Sequence, residues 1–219
     1  MVLPILLFSR SITFSQELPI GYISYFSHNC NNETLFNFLL PENESEWMIV
    51  KEEGQNYLRI KSTNDTASQP FPECRSALNN MILGDFILEF DVKTVPLPDS
   101  DTAGFCFLGP IKTGSIYYSM IFSKDTILFF TINHDTIQSC TKKSTSLLNT
   151  KWNRIRIQRD ILTRTIHIII NDEIQSKVSF SDRILVMGYI GFGSHRSTSY
   201  IRNIRLWAPT AIEEKSFQW

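Results

Sequence analysis

Two carboxylates stand close enough along one segment of the chain to work as an acid–base pair. Glu89 and Asp91 are separated by one residue in the segment 85–93, in which apolar and polar side chains alternate. This period of two predicts a β-strand whose outward face carries both carboxylates, about 7 Å apart along the strand. Glycosidases hold their two catalytic carboxyl groups at a comparable separation. A solvated outer sheet face is the commoner use of such charges, and both interpretations stay open.

A histidine and an irregular strand near the end of the chain form a second candidate. His195 lies in a Ser/Arg/Thr-rich link, 194–199, where an imidazole could act as an acid or a base. In the apolar segment that follows, the alternation slips by one position, which predicts a β-bulge at Arg202 and Asn203. A bulge could aim either side chain towards a ligand, or these polar groups could simply hold the loop together. The residues that define the slip are Ile201, Ile204 and Leu206.

The segment 152–160 combines aromatic and basic residues. Trp152, Arg154 and Arg156 share one face if the segment is a strand, and the isoleucines between them face the core. Basic and aromatic residues on a sheet can bind acidic glycans. A plain solvated sheet face is the alternative.

Metal and thiol chemistry have few candidates. Asp99 and Asp101 lie in a loop with two prolines and could supply oxygen ligands to Ca²⁺, the one cofactor we consider. Four widely spaced cysteines without a C-x-x-C pair argue against zinc and leave one or two disulfides open. They are Cys30, Cys74, Cys106 and Cys140. Cys106, between two phenylalanines, is predicted to be a buried, inert thiol.

Composition bounds the class of protein. With 219 residues, of which 42% are hydrophobic, the chain suits one all-β domain at 20–210, with a signal or disordered N-terminus at 1–19 and a tail at 211–219. A net charge of −1 gives no indication of a nucleic-acid partner. No apolar run approaches the roughly 18 residues of a membrane-spanning helix. The apolar run at 2–8 makes a secreted, periplasmic or cell-surface protein our expectation, with the cytoplasm still open.

The chain gives strand after strand and no convincing helix. We predict hairpins at 47–61, 116–132 and 152–170, a polar loop at 134–149 and a closing hairpin at 186–207. About a dozen such strands fit two antiparallel sheets packed face to face. The predicted fold is therefore an all-β, two-sheet antiparallel sandwich.

A resemblance to a known family supports this fold. The order I-G-F-x-x-H-x-x-x-x-x-I-R-N-I-R-L over 190–206 resembles the closing strands of concanavalin A-like jelly rolls, within them the 3-keto-disaccharide hydrolase and laminin-G-like branch. The resemblance covers roughly 47–209 and implies a concanavalin A-like jelly roll. Its other segments, in the expected order, are 85–93, 103–107, 152–157 and 166–171.

The resemblance also implies roles for some residues. His195 occupies a position that the hydrolase-like proteins also fill with His, although Arg196 stands where that branch often has Gly. Family 16 glycoside hydrolases carry E-x-D-x-x-E on a strand, and here Thr94 replaces the last acidic residue, their general acid/base. Arg75 begins a segment similar to the R-S-E-L-R strand of concanavalin A-like polysaccharide lyases, which implies contact with a sugar acid. An ordinary surface arginine is the alternative.

We therefore predict a carbohydrate-active protein that binds an oligosaccharide or polysaccharide in the concave groove of the sandwich. The first hypothesis is a glycoside hydrolase or lyase, and the second is a non-catalytic glycan-binding or adhesion module on the same fold. The enzyme would use His195, Glu89 and Asp91 in catalysis and Arg75, Arg202, Asn203 and Trp152 in substrate binding. It requires His195 and a carboxylate within about 8 Å across one cleft, and side chains on opposite faces would exclude it.

Overall fold

The described part of the chain consists of β-strands and the turns between them. The computed structural model describes residues 18–30, 39–41, 47–52, 54–62, 74–78, 81–97, 103–111, 116–134, 136–145, 151–184, 187–209 and 211–213. In these ranges no helix has the length and apolar character needed to cross a membrane. The strands are β1 (Ile23–His28), β2 (Leu39–Pro41), β3 (Trp47–Glu52), β4 (Gln55–Lys61), β5 (Cys74–Leu78), β6 (Met81–Leu83), β7 (Phe86–Pro96), β8 (Gly104–Ile111), β9 (Ile116–Phe122), β10 (Thr126–Asn133), β11 (Thr136–Ser144), β12 (Asn153–Asp160), β13 (Thr165–Ile170), β14 (Glu173–Ser181), β15 (Tyr189–His195), β16 (Ser197–Ala208) and β17 (Ala211–Glu213).

The strands form two large antiparallel sheets, which confirms the predicted β-sandwich. Sheet A has the order β14-β13-β12-β7-β16-β4-β3, with β1 as an eighth strand paired with β16. Sheet B has the order β11-β10-β9-β8-β15-β5-β2. A short third ladder pairs β17 with β6, so the segment predicted as a C-terminal tail begins with a strand.

The core lies between the two sheets and follows the alternation read from β7. The side chains predicted to face inward on β7 all belong to the main core cluster: Phe86, Leu88, Phe90 and Val92. Across the interface, the Phe90 ring lies 5.1 Å from Phe105 of β8 and 5.5 Å from Phe192 of β15. Each such aromatic pair adds about 0.5–1.5 kcal/mol beyond its buried area. Period-two alternation therefore packs sheet A against sheet B.

The predicted hairpins at β3–β4, β9–β10 and β12–β13 are confirmed, but the closing hairpin is wrong. β15 pairs with β5 and β8 in sheet B, whereas β16 pairs with β4 and β7 in sheet A. The chain crosses between the sheets at Arg196, which has a φ of 46°. Gly191 is required on β15 because a Cβ there would collide with the Ser76 carbonyl oxygen of β5.

Most of the predicted polar loop at 134–149 is a strand, and residues 135 and 146–149 lie outside the described ranges. Thr136–Ser144 is β11, which forms one edge of sheet B and pairs only with β10. Its side chains are exposed along almost the whole strand. A strand that is exposed on both faces has no apolar alternation, so the sequence pattern could not reveal it.

A buried polar network connects the two sheets. Arg159 of β12 donates through Nε to Oδ2 of Asp182 over 2.6 Å, and both side chains are 0% exposed. Arg159 also donates to the Gly84 carbonyl at 2.9 Å. From sheet B, Tyr118 of β9 donates its hydroxyl to Asp182 Oδ1 at 2.9 Å and accepts the backbone N–H of Ile184 at 2.8 Å. Buried charge is tolerated here because each member of the network has hydrogen-bond partners.

We predict that Asp182→Asn is strongly destabilising. The substitution leaves Arg159 as an uncompensated buried charge, which should lower the free energy of unfolding by about 3–5 kcal/mol. Urea unfolding followed by tryptophan fluorescence measures this. Asp172→Asn is the matched control, because Asp172 is 42% exposed in its pair with Arg154 and should change stability by less than about 1 kcal/mol. Equal effects of the two substitutions would contradict the structural role of the buried pair.

The Tyr118 phenol predicts a loss of stability at alkaline pH. Burial raises the pKa of Tyr118 from 10.0 to about 12. The folded state keeps a proton that the unfolded state releases earlier, so the contribution of Tyr118 is complete below pH 10 and declines as the pH rises to about 12. The free energy of unfolding of the native protein and of Tyr118→Phe, measured against pH, should therefore converge in this window. Parallel curves would show that Tyr118 does not titrate differently in the two states.

Candidate functional site

One edge of β16 is shared by two strands, and a gap lies between them. β7 pairs with one edge of β16 from Ser197 to Trp207. On the other edge, the ladder with β4 ends at Ile201 and the ladder with β1 begins at Ile204. Between these two ladders, the register between β16 and β7 shifts by one residue, as the sequence predicts. The slip allows Ile201, Ile204 and Leu206 all to be 0% exposed in the core.

Asn203 holds the bulge in place. Its φ is 54°, in the left-handed region where Asn is tolerated better than most residues. Its side chain donates from Nδ2 to Oδ2 of Asp91 on the neighbouring β7 at 2.7 Å. The predicted bulge is thus confirmed, and its asparagine bonds to one of the two candidate carboxylates.

The gap opens as a polar groove of about 420 Å³, which we call the β16 groove. It lies where the end of β1, the β3–β4 turn and the bulge meet. Among the described residues, its lining combines four carboxamides with two cations and a glycine, without a carboxylate. The lining residues are Asn29, Lys51, Gly54, Gln55, Asn56, Arg202 and Asn203.

Arg202 is fixed beside the groove by aromatic and polar contacts. Its guanidinium carbon lies 4.2 Å from the centre of the Trp152 ring and 5.9 Å from that of Tyr57. Its Nη1 donates to Oε1 of Gln55 across the groove. Lys93 continues the cluster, with its ammonium 5.6 Å from the Trp152 ring and 4.8 Å from that of Tyr200. Cations and aromatic rings therefore alternate across the outer face of sheet A next to the groove.

Asp91 is occupied by partners from two strands. Its Oδ1 accepts from Arg154 Nε at 3.1 Å, and its Oδ2 lies 3.4 Å from Arg202 Nε in addition to its bond from Asn203. The same contact raises the pKa of the Arg154 guanidinium. A carboxylate surrounded by three donors has little capacity left for a substrate. Asp91 therefore positions the bulge and does not face an open cleft.

Glu89 is similarly paired. Its Oε1 accepts from Arg156 Nη1 at 2.8 Å, and the Arg156 side chain is only 9% exposed. The stripe predicted on β12 is thus an ion-paired layer between β12 and β7, with Ile155 and Ile157 in the core as expected. Neither carboxylate is a solvated charge on the outer sheet face, which was the alternative interpretation of the sequence.

The structure does not bring His195 together with these carboxylates. His195 ends β15 in sheet B and is 3% exposed, so it is not the open loop residue that the sequence suggests. The preceding Ser194 bonds to the Ser197 hydroxyl at 2.8 Å in the interior, and alternation turns the His195 side chain to the outer face of sheet B. Glu89 and Asp91 lie on the outer face of sheet A. The geometry that the hydrolase hypothesis requires is not formed by these three residues.

The remaining predicted site residues are described only in part. Asp99 and Asp101, the expected Ca²⁺ ligands, lie outside the described residues. Arg75 pairs with Gly193 in the β5–β15 ladder, but its side chain is not among those described. Across the described ranges, no group of three or more His, Cys, Asp or Glu side chains could hold a metal ion.

The thiol nearest to the groove is not a nucleophile. Cys30, at the end of β1, is buried and donates from Sγ to the Ile201 carbonyl at 3.5 Å, where the β4 ladder ends. Burial raises its pKa to about 11, so the thiol keeps its proton near neutral pH. Cys30, Cys106 and Cys140 are free, which excludes disulfides among these three, and Cys106 is buried as predicted.

Sequence reasoning missed the polar half of the groove. Lys51, Gln55 and Asn56 lie at the turn of the predicted hairpin at 47–61, and the sequence pattern gave them no functional role. Gly54 of this turn has a φ of 78°. The cluster of carboxamides beside that glycine was the available signal. Tyr117 and Tyr118 of β9 are buried at 8% and 0% exposure. Trp152 is half-buried beside Arg202.

Comparison with known proteins supports the fold. No protein-family model matches the sequence, and no curated protein matches it. Among solved structures, the carbohydrate binding module CBM66 from Bacillus subtilis has 12% identity and a TM-score of 0.56, covering 76% of this chain and 92% of that one. A prokaryotic β-1,3-1,4-glucanase (lichenase) derived from a mouse hindgut metagenome has 10% identity and a TM-score of 0.56, covering 86% and 99%.

A carbohydrate esterase from the Shiga toxin-encoding bacteriophage phi24B has 8% identity and a TM-score of 0.56, covering 87% of this chain and 100% of that one. These neighbours confirm the concanavalin A-like jelly-roll fold. The closer resemblance to the laminin-G-like branch stays a prediction.

We predict that the bulge depends on the backbone conformation of Asn203. Asn203→Gly and Asn203→Ala both remove the bond to Asp91, but only Ala must adopt an unfavourable positive φ. Asn203→Ala should therefore be less stable than Asn203→Gly by about 1–2 kcal/mol, measured by urea unfolding. The glycine variant thus controls for the lost hydrogen bond. If Ala were the more stable of the two, the left-handed conformation would not be a constraint at this position.

Proposed function

We propose that this protein is a non-catalytic glycan-binding module and that the β16 groove holds the sugar. The observation that carries the proposal is the lining of the groove, in which four carboxamides and two cations surround an open cavity of about 420 Å³ beside Trp152. Such a site needs no titrating pair. Binding, unlike hydrolysis, therefore fits the geometry.

Carboxamides suit sugar hydroxyl groups. Each Asn or Gln side chain offers two N–H donors and an acceptor oxygen, while each sugar hydroxyl both donates and accepts. One carboxamide can thus bind two neighbouring hydroxyls. Next to the polar groove, the Trp152 and Tyr200 rings lie under Arg202 and Lys93 and hold these cations in place beside the sugar.

The fold neighbours are consistent with this class of ligand. One is described as a carbohydrate binding module and another as a β-1,3-1,4-glucanase. At 12% and 10% identity they support the architecture, and their ligands enter here only as a reason to test glycans.

The hydrolase hypothesis has less support. Its two carboxylates are each paired with an arginine, at 3.1 Å for Asp91 and 2.8 Å for Glu89. A glycosidase needs one carboxyl group to donate a proton and the other to attack or activate water. His195, the other candidate, faces away from both. We therefore expect no cleavage of oligosaccharides.

Binding to an oligosaccharide panel tests the proposal. Gln55→Ala removes a groove carboxamide and the anchor of Arg202, and it should weaken glycan binding about 3- to 10-fold, the usual effect of one lost hydrogen-bonding group. Trp152→Ala removes the ring under the Arg202 guanidinium and should weaken it about 10-fold, because Arg202 loses its support. Isothermal titration calorimetry measures both, with product chromatography on the same mixtures.

Gln138→Ala is the matched control, since this exposed glutamine lies on β11 at the edge of the other sheet. The affinity of the Gln138→Ala variant for the glycan should equal that of the native protein. Circular dichroism and thermal unfolding must show that all variants are folded. Equal weakening by Gln55→Ala and Gln138→Ala would place the site elsewhere, and product formation would revive the enzyme hypothesis.

A further inference from the structure

We infer that the β16 groove selects a negatively charged sugar, one carrying a carboxylate or a sulfate, over its neutral equivalent. The inference rests on the proposed glycan-binding function and adds the charge of the ligand to it. It starts from the charge of the groove, which differs from that of the chain. The chain as a whole has a formal net charge of −1, whereas the described lining residues of the groove include two cations, Lys51 and Arg202, and no acidic residue.

The charge of Arg202 is only partly compensated. Its nearest carboxylate, Asp91, is shared with Arg154, which also pairs with Asp172 at 3.4 Å. The Nε of Arg202 is buried, and it has no hydrogen-bond acceptor among the described residues. The ion pair at 3.4 Å is therefore not a well-formed hydrogen bond. Arg202 therefore keeps hydrogen-bonding capacity that no described residue fills.

Arg202 is also held in a fixed position. Trp152 lies under its guanidinium at 4.2 Å, and Gln55 accepts from Nη1, which leaves Nη2 without a bond to any described residue. An immobilised guanidinium loses little entropy when it binds an anion, and its planar donors match a carboxylate or a sulfate. Arg202 can therefore offer its remaining N–H groups to the ligand with little loss of conformational entropy.

Lys51 supplies a second cation to the same groove. It is exposed near the end of β3, and no carboxylate of the described residues pairs with it. The outer face of sheet A extends this field, because Arg59 of β4 and Lys93 of β7 flank Tyr200 in one row of the ladder. Cations two strands apart are separated by about 9–10 Å, given a spacing of about 4.8 Å between strands. A charged oligosaccharide could thus meet cations along its length.

Matched ligands test the inference. We would compare an oligogalacturonide with its fully methyl-esterified form, which has the same sugars without the charge, and add a sulfated heparin-derived tetrasaccharide. Titration calorimetry should show that the esterified form binds at least about 10-fold more weakly, because a charge-assisted bond is worth about 1.5–3 kcal/mol. Affinity for the charged sugars should also fall as salt is raised. The two charged ligands distinguish carboxylate from sulfate recognition.

Charge reversal in the protein gives the reciprocal test. Lys51→Glu should reduce the affinity for the charged sugar about 10-fold or more and leave the affinity for the esterified sugar nearly unchanged. Lys124→Glu, in the exposed β9–β10 turn of sheet B, makes the same change in total charge and should have little effect. If both variants lose affinity equally, long-range attraction and not the groove would be responsible, and the inference would be wrong.

The remaining outcomes separate the two proposals. If the charged and esterified sugars bind equally, glycan binding stands and charge selection falls. If no sugar in the panel binds the folded protein, both fall. If single-stranded DNA binds as tightly as the charged sugars and Lys51→Glu does not weaken it, the protein attracts polyanions in general, which also overturns selection by this groove.

Discussion

The ion pair between Arg159 and Asp182 is the interaction on which the sandwich most depends. Arg159 belongs to sheet A, Tyr118 belongs to sheet B, and Asp182 bonds to both at 2.6 and 2.9 Å. Apolar packing between two sheets is nondirectional, so it brings the sheets together without setting their relative position. Hydrogen bonds to a buried charge are directional and costly to leave unmade. The network therefore adds a directional constraint to the alignment of two layers that are already packed together, and its side chains are buried.

The candidate site follows from a different constraint, the single extra residue in β16. A strand with an unbroken ladder on both edges leaves no space between its neighbours. Here the bulge separates the end of the β4 ladder at Ile201 from the beginning of the β1 ladder at Ile204, and the groove occupies the gap. Of the two carboxylates that resembled a catalytic pair, Asp91 bonds to Asn203 of the bulge and pairs with two arginines, while Glu89 pairs with Arg156 of β12. The cavity itself is lined largely by residues of the β3–β4 turn.

The period-two patterns predicted the features that depend on one strand alone. The alternation of β7 and the slip at Arg202 and Asn203 gave correct side-chain faces, because burial of one face dictates sequence spacing. The pairing partners of the strands could not be predicted in this way, because β15 and β16 each bury one face whether they pair with each other or lie in different sheets. β11 was invisible because its two faces are both exposed. The groove was missed for a similar reason: polar residues in a turn show no periodicity, and their convergence with Arg202 arises only when β4 pairs with β16.

The crossing at Arg196 also determines when the fold can form. β15 is an inner strand of sheet B, between β8 and β5, and β16 is an inner strand of sheet A, between β7 and β4. The ribosome synthesises these two strands after nearly all of the strands between which they are inserted. During translation the earlier hairpins have no central strand to pack against, so neither sheet can be completed until Ala208 has left the ribosome. Assembly then requires contacts between residues far apart in sequence, which makes folding slow compared with that of helical proteins. Until that moment the strand edges that β15 and β16 will occupy stay unpaired, and unpaired edges are prone to aggregation.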